Sequence, residues 1–355
     1  MIKKLNISVL LILASLVFTG CKVNDSKQRG FSVEAEQIDS LFKDQYQKGR
    51  FNGSVLVVKG DSTIYEASFG YSDGSKTKPL DKNFRFNMGS VYKEFPAVAI
   101  MQLVESGHLK VQDKVQKFIP ELPEWSQQIT VEHLLQYTSG LPTVNWTKHD
   151  SISDSDVMAD LMALESLLFT PGKDYLYTNN SPFLLIKIVE RIAKMSFEDY
   201  AIQHLFAPLG MNQTLFKSSY PFKDRKLMAI PFGANGQEDS FPIAMGSILI
   251  CSTPTDMFKW LDGLHSQRLI SNESLIELTQ KSSANRANVQ APLGYAKVTD
   301  SIITEHSHHG SSGNYEALIS RYNDLDLTVV LLTNQKHGNL QLLTQKVKGI
   351  IAETK

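Results

Sequence analysis

Cysteine is almost missing: the 355-residue chain has two, Cys21 and Cys251. Two thiols are too few for a disulfide framework. Net charge is almost missing as well. Lysine plus arginine number 36 against 37 aspartates and glutamates, for a net charge of −1, so no basic excess marks a nucleic-acid partner. Neither an internal repeat nor a low-complexity tract is present, which argues against repeat arrays and disordered polymers. What is there is ordinary globular composition, 42% hydrophobic and 21% charged, with chain enough for a large core.

The N-terminus stands apart from that core. Lys3 and Lys4 precede an apolar run from Ile7 to Phe18, followed by Thr19-Gly20-Cys21. A charged start, an apolar middle and small residues before a cleavage point describe a secretory signal. The cysteine directly after the small residues resembles a bacterial lipoprotein signal, in which residues 1–20 are removed and Cys21 carries the lipid. An uncleaved anchor and a plain signal peptide are the alternatives. Residues 21–33 read as a polar tether. The expectation is export from a bacterial cytoplasm and anchoring to a membrane through Cys21. Cys251, within the apolar ILIC, is then an unpaired buried thiol.

Residues 34–355 are expected to form the folded domain. Residues near 34–48 look helical, and SVLVVK (54–59) and TIYEASF (63–69) read as a hairpin across Gly60-Asp61. Helical patterns follow at 131–136, 155–168, 182–193, 197–205 and 255–264, and residues 217–245 are irregular. Strands return at 315–320 and 327–333, and 340–352 has apolar residues at helical spacing. The expected fold class is α+β: an antiparallel sheet built from both chain ends, flanked by helices, with a mainly helical region of about 86–280 inserted.

The stretch Phe86–Gly107, FNMGSVYKEFPAVAIMQLVESG, is a helix apolar on most faces, stopped by Gly107. Ser90 and Lys93 lie at its start, one turn apart on one face. Unpaired backbone N–H groups and the helix dipole stabilise an oxyanion there, and a neutral lysine could take the serine proton. Ser-x-x-Lys also occurs at Ser40–Lys43 and Ser75–Lys78, where a capping serine with a solvated lysine explains it. Only the third leads into a buried helix.

Tyr177-Thr178-Asn179 precedes the helix near Pro182. A phenol near an ammonium has a lowered pKa and can relay protons. The Asn179 amide can hold the lysine or a substrate carbonyl. Alternatively Tyr177 packs its ring and Asn179 caps the helix. His308-His309-Gly310 precedes the strand at Tyr315. Gly310 permits close backbone approach, and the N–H of Ser311 could pair with that of Ser90 as an oxyanion hole. A solvated polar turn is the alternative. His306, His308 and His309 also raise a metal site, although no Asp, Glu or Cys nearby in sequence completes a ligand set.

Taken in order, these motifs resemble the serine β-lactamase and penicillin-binding-protein superfamily, nearest its class C-like branch. The likeness runs over residues 36–350 and includes NGSVLVVKGD, MQLVESGHLKVQDKVQKFIPELP, ITVEHLLQYTSGLP, PGKDYLYTNN, FAPLGMNQTLF, CSTPTDMFKW and DLDLTVVLLTN. The resemblance implies that Ser90 is the acylated nucleophile and Lys93 the base, or the charge that tunes Tyr177. It implies Tyr177 as general base and acid, Asn179 as a substrate-orienting group, and Ser311 as the second oxyanion N–H. His308 stands where relatives carry the lysine of Lys-Thr-Gly. The implied substrate is a small molecule, peptide or ester with an amide, ester or lactam bond, and no metal or organic cofactor is implied. Pro96 where relatives have threonine, Tyr137 before Thr-Ser-Gly-Leu-Pro where histidine is common, and His308 depart from the pattern. The last points away from β-lactam hydrolysis and toward an esterase or peptidase. A binding or sensing module that has lost its chemistry is the alternative function.

Overall fold

Strands from the two ends of the chain share one sheet. The computed structural model describes residues 32–148, 150–283, 286 and 288–353; the expected signal, Cys21 and nearly all of the tether lie outside them. β1 (Gly53–Lys59) and β2 (Ser62–Phe69) form the foreseen hairpin. β3 (Tyr295–Thr299), β4 (Ile302–Ser312), β5 (Tyr315–Tyr322) and β6 (Leu327–Thr333) form a meander. The order is β2-β1-β6-β5-β4-β3, and every neighbouring pair is antiparallel. Val55 faces Leu331 and Val57 faces Val329 across the seam where the two ends meet.

Strand alternation divides the core in two. Val55, Val57, Leu318, Val329 and Leu331 pack with Ile38 and Phe42 of α1 (Val33–Gln47) on one face. Leu56, Val58, Ile319, Val330 and Leu332 point the other way, into the larger core. That core includes α2 (Glu94–Glu105), α3 (Asn180–Ala193) and α4 (Pro254–His265). α5 (Leu340–Glu353) joins α1 by burying Leu340, Leu343, Val347 and Ile351.

Three expectations need correction. The helix read over 155–168 is Asp154–Met162, ending before the residues ESLLF. That over 197–205 splits into Phe197–Tyr200 and a wider-wound turn, Ala201–Phe206. The residues ahead of Tyr315, His308 among them, form β4, a long strand that sequence pattern did not disclose, and not the polar turn that stood as the alternative.

Candidate active site

The catalytic serine of the sequence reading sits on a tight turn before α2. Asn87 Oδ1 accepts the N–H of Gly89 at 2.8 Å, and Gly89 takes a positive φ of 50°. The chain then runs through a 3-10 turn, Gly89–Lys93, into α2. Pro96 falls in the first turn of α2, where a missing backbone donor is tolerated. The turn brings Lys93 Nζ to 3.0 Å from Ser90 Oγ. Lys93 is buried, and burial lowers its pKa to about 7. Its ammonium lies over two rings, 4.7 Å from the centroid of Tyr92 and 4.9 Å from that of Tyr177.

Tyr177 is held from its neighbour. Thr178 Oγ1 donates to Pro142 O at 2.7 Å and accepts the N–H of Asn180 at 3.1 Å. Tyr137, with a φ of 57°, places its ring 4.7 Å from that of Tyr177. The Tyr177 hydroxyl is buried, stands beside Ser90, and makes no hydrogen bond of good geometry. Burial raises its pKa, with Ser90 working against the shift. The expected lowering by lysine is absent, because Lys93 has itself lost much of its charge to burial. Asn179 precedes α3 but does not cap it with its side chain. Its Oδ1 accepts from the Tyr92 hydroxyl at 3.1 Å.

β4 closes the site from the other side. A Cβ at Gly310 would stand 2.1 Å from Met88 O and 2.9 Å from Ser90 N; one at Gly89 would stand 2.4 Å from Ser311 N. The two backbones touch, so the N–H groups of Ser90 and Ser311 are neighbours. Ser90, Lys93, Asn179 and Ser311 line one cavity of about 490 Å³, within the usual range for small-molecule sites. Tyr177 and Gly310 stand against the same residues without lining it.

His308 is a correction. It does not line that cavity; it is buried, with Nδ1 2.8 Å from Glu94 Oε1. Glu94 organises a polar layer that sequence reading missed. A carboxylate only accepts, so both His308 Nδ1 and His306 Nε2, at 3.0 Å, donate to its Oε1, and Trp260 Nε1 donates to Oε2 at 2.6 Å. His265 Nε2 then donates to His306 Nδ1 at 3.1 Å, and Asn323 Nδ2 donates to His265 Nδ1 at 3.1 Å. Burial opposes charge on Glu94, yet His306 and His308 hold its pKa down at about 2. Burial, then His306, pushes His265 down to about 3, and burial lowers His308. His309 points to the opposite face and pairs with Glu316 at 2.9 Å. The three histidines therefore do not converge, and among the described residues no group of three His, Cys, Asp or Glu side chains is arranged for a metal ion. The one sequence hint of Glu94 was its place at the start of a run apolar on most faces, which does not by itself separate a buried acid from a solvated one.

The family model described as Beta-lactamase matches residues 38–347. Penicillin-binding protein 4* of Bacillus subtilis (strain 168) is 27% identical over 328 residues, 85% of this chain and 72% of that protein. Protein flp of Staphylococcus aureus (strain MW2) is 30% identical over 206 residues, 55% of this chain and 39% of that protein, so this match spans about two fifths of flp. A solved class C beta-lactamase superposes with a TM-score of 0.74 at 20% identity, over 91% of this chain and 96% of that one.

Proposed function

The chain belongs to the beta-lactamase family, and from that premise we propose that it is a serine hydrolase working through an acyl-enzyme on Ser90. The observation that carries the reading is the 3.0 Å contact between Ser90 Oγ and a lysine whose pKa burial has lowered to about 7. A serine hydroxyl is a poor nucleophile until a base takes its proton. Neutral Lys93 accepts that proton as Oγ attacks the substrate carbonyl. The N–H groups of Ser90 and Ser311 receive the developing oxyanion; losing one such donor typically costs roughly 3–4 kcal/mol. As the intermediate collapses, the C–N or C–O bond breaks and the leaving group takes a proton from Lys93 or from the Tyr177 phenol. Water then attacks the acyl-enzyme, passes a proton back through the same groups, and releases the acid and free Ser90.

Amide and ester substrates fit better than β-lactams. The group at the position of the family lysine, His308, is bound to Glu94 and does not line the cavity, so no cation there holds a lactam carboxylate. A fluorophosphonate probe and a labelled penicillin test the reading. The expected result is covalent label on Ser90, lost in Ser90→Ala. Folded protein that neither probe marks would overturn it.

A further inference from the structure

Glu94 follows Lys93 at the first position of α2 and is buried, yet it takes no part in the chemistry above. It joins elements instead. Its Oε1 accepts from two residues of β4, His308 Nδ1 at 2.8 Å and His306 Nε2 at 3.0 Å, and its Oε2 accepts from Trp260 Nε1 of α4 at 2.6 Å. Bonds to a charged acceptor are roughly twice as strong as neutral ones, and a buried donor robbed of its acceptor is left with its full desolvation cost. These bonds fall where β4 has little else to hold it. β3 pairs with β4 no further than Tyr295 opposite Ser307, so over residues 308–312 β5 is the one strand beside β4 among the described residues. On the face toward α2, β5 buries Ile319 and β6 buries Val330 and Leu332, whereas β4 buries His306 and His308. Apolar packing therefore seats this end of β4 poorly. Ser311 lies just beyond, its N 2.4 Å from where a Gly89 Cβ would stand, and backbones that close allow no slip without moving the donor.

We propose that Glu94 is a positioning residue: by holding His306 and His308 it presses the end of β4 onto the turn of Ser90, and so keeps the Ser311 N–H where it can share an oxyanion with the Ser90 N–H. His308, at the position of the family lysine, is then a strut between two elements and not a contact for substrate. This inference rests on the serine-hydrolase reading for its effect on rate and adds no chemical step to it.

The test is the rate at which a fluorophosphonate modifies Ser90, because the phosphoryl oxygen draws on the same two donors. Saturation kinetics separate the limiting rate from the half-saturating concentration, and the label at completion counts working sites. Glu94→Gln keeps the shape, removes the charge and turns an amide NH2 toward at least one of the three donors. The expected result is a limiting rate lower by about tenfold or more, part of what losing a whole oxyanion donor costs, with half-saturation and completed label as in the native protein. A native limiting rate, or a loss of completed label alone, overturns the proposal, since an acid needed only for stability changes the number of working sites and not the rate of each. His308 gives a second arm, which decides alone if Glu94→Gln does not fold. His308→Asn keeps an N–H donor at the same reach and should label about tenfold faster than His308→Leu; equal rates in the two overturn the strut. Hydrogen exchange separates this inference from the reading it rests on. Faster exchange in Glu94→Gln confined to residues 308–312, in a protein that no fluorophosphonate marks, would retain the clamp on β4 and remove the hydrolase. Labelled protein whose exchange and rate are both indifferent to Glu94→Gln would do the reverse.

Discussion

Among the described residues no acid is placed to hold the charge of Lys93. The nearest carboxylate in sequence, Glu94, spends both oxygens on His306, His308 and Trp260. Burial therefore acts on the ammonium unopposed and brings its pKa to about 7. In the proposed mechanism activation of Ser90 requires the neutral amine, so acylation should rise with pH through about 7 and fall below it. The Tyr177 phenol moves the other way, raised by burial, and stays protonated, as its proposed role of proton donor needs. His308 is close enough to Lys93 for their charges to oppose each other. His308→Lys would put a permanent cation beside it, lowering the Lys93 pKa and shifting the acid limb of the profile to lower pH by about one unit. The measurement is the rate of Ser90 labelling by a fluorophosphonate against pH in both proteins. Superimposable profiles, or no inflection between about 6 and 8, would remove Lys93 as the base.

Between elements, the site depends on a backbone contact: the 3-10 turn Gly89–Lys93 lies against the end of β4 with no side chain between them. Gly310→Ala would place a methyl group 2.1 Å from Met88 O, so the strand must move away and the Ser90 and Ser311 donors must separate. Losing one oxyanion donor lowers kcat by about 10²–10³, and Gly310→Ala should fall in that range while also lowering the melting temperature, because the atoms it meets are backbone and cannot swing aside. A variant with native kcat would dismiss the paired-donor arrangement. This contact was legible in part. Gly310 and Ser311 stood out as a motif, whereas their strand did not. IITEHSHHGSS lacks the apolar alternation by which strands are read, because β4 buries His306 and His308 against Glu94 where other strands bury valine. Glu94 escaped for a related reason. A glutamate in a first helical turn ordinarily reads as a solvated charge answering the helix dipole, and its burial is apparent only once β4 is folded against it. SVLVVK and LTVVLLT, by contrast, declared themselves because both their faces are apolar and covered.

At the scale of the molecule, the site residues come from the inserted helical stretch and from β4, yet their support is the sheet that joins the chain ends. β1 cannot complete its pairing until β6 has been made, since β6 lies between it and β5. One face of that seam is covered by α1 and α5. α5 contributes nothing to the chemistry, but Leu340, Leu343, Val347 and Ile351 are all buried in its contact with the sheet. At about 1.5–3 kcal/mol for each buried side chain, that helix supplies roughly 6–12 kcal/mol of apolar burial, comparable with the whole stability of a typical domain, about 5–15 kcal/mol. A chain ended after Gly338 retains every strand and every residue around Ser90. It should nevertheless show no cooperative thermal transition by circular dichroism and no fluorophosphonate label on Ser90, while the full chain shows both. The same truncation would also bare Val329 and Leu331 at the centre of the sheet, an apolar face that invites association, so the shortened chain should elute as aggregate in gel filtration. A truncated protein that melts cooperatively as a monomer and labels at the native rate would mean that α1 alone secures this face.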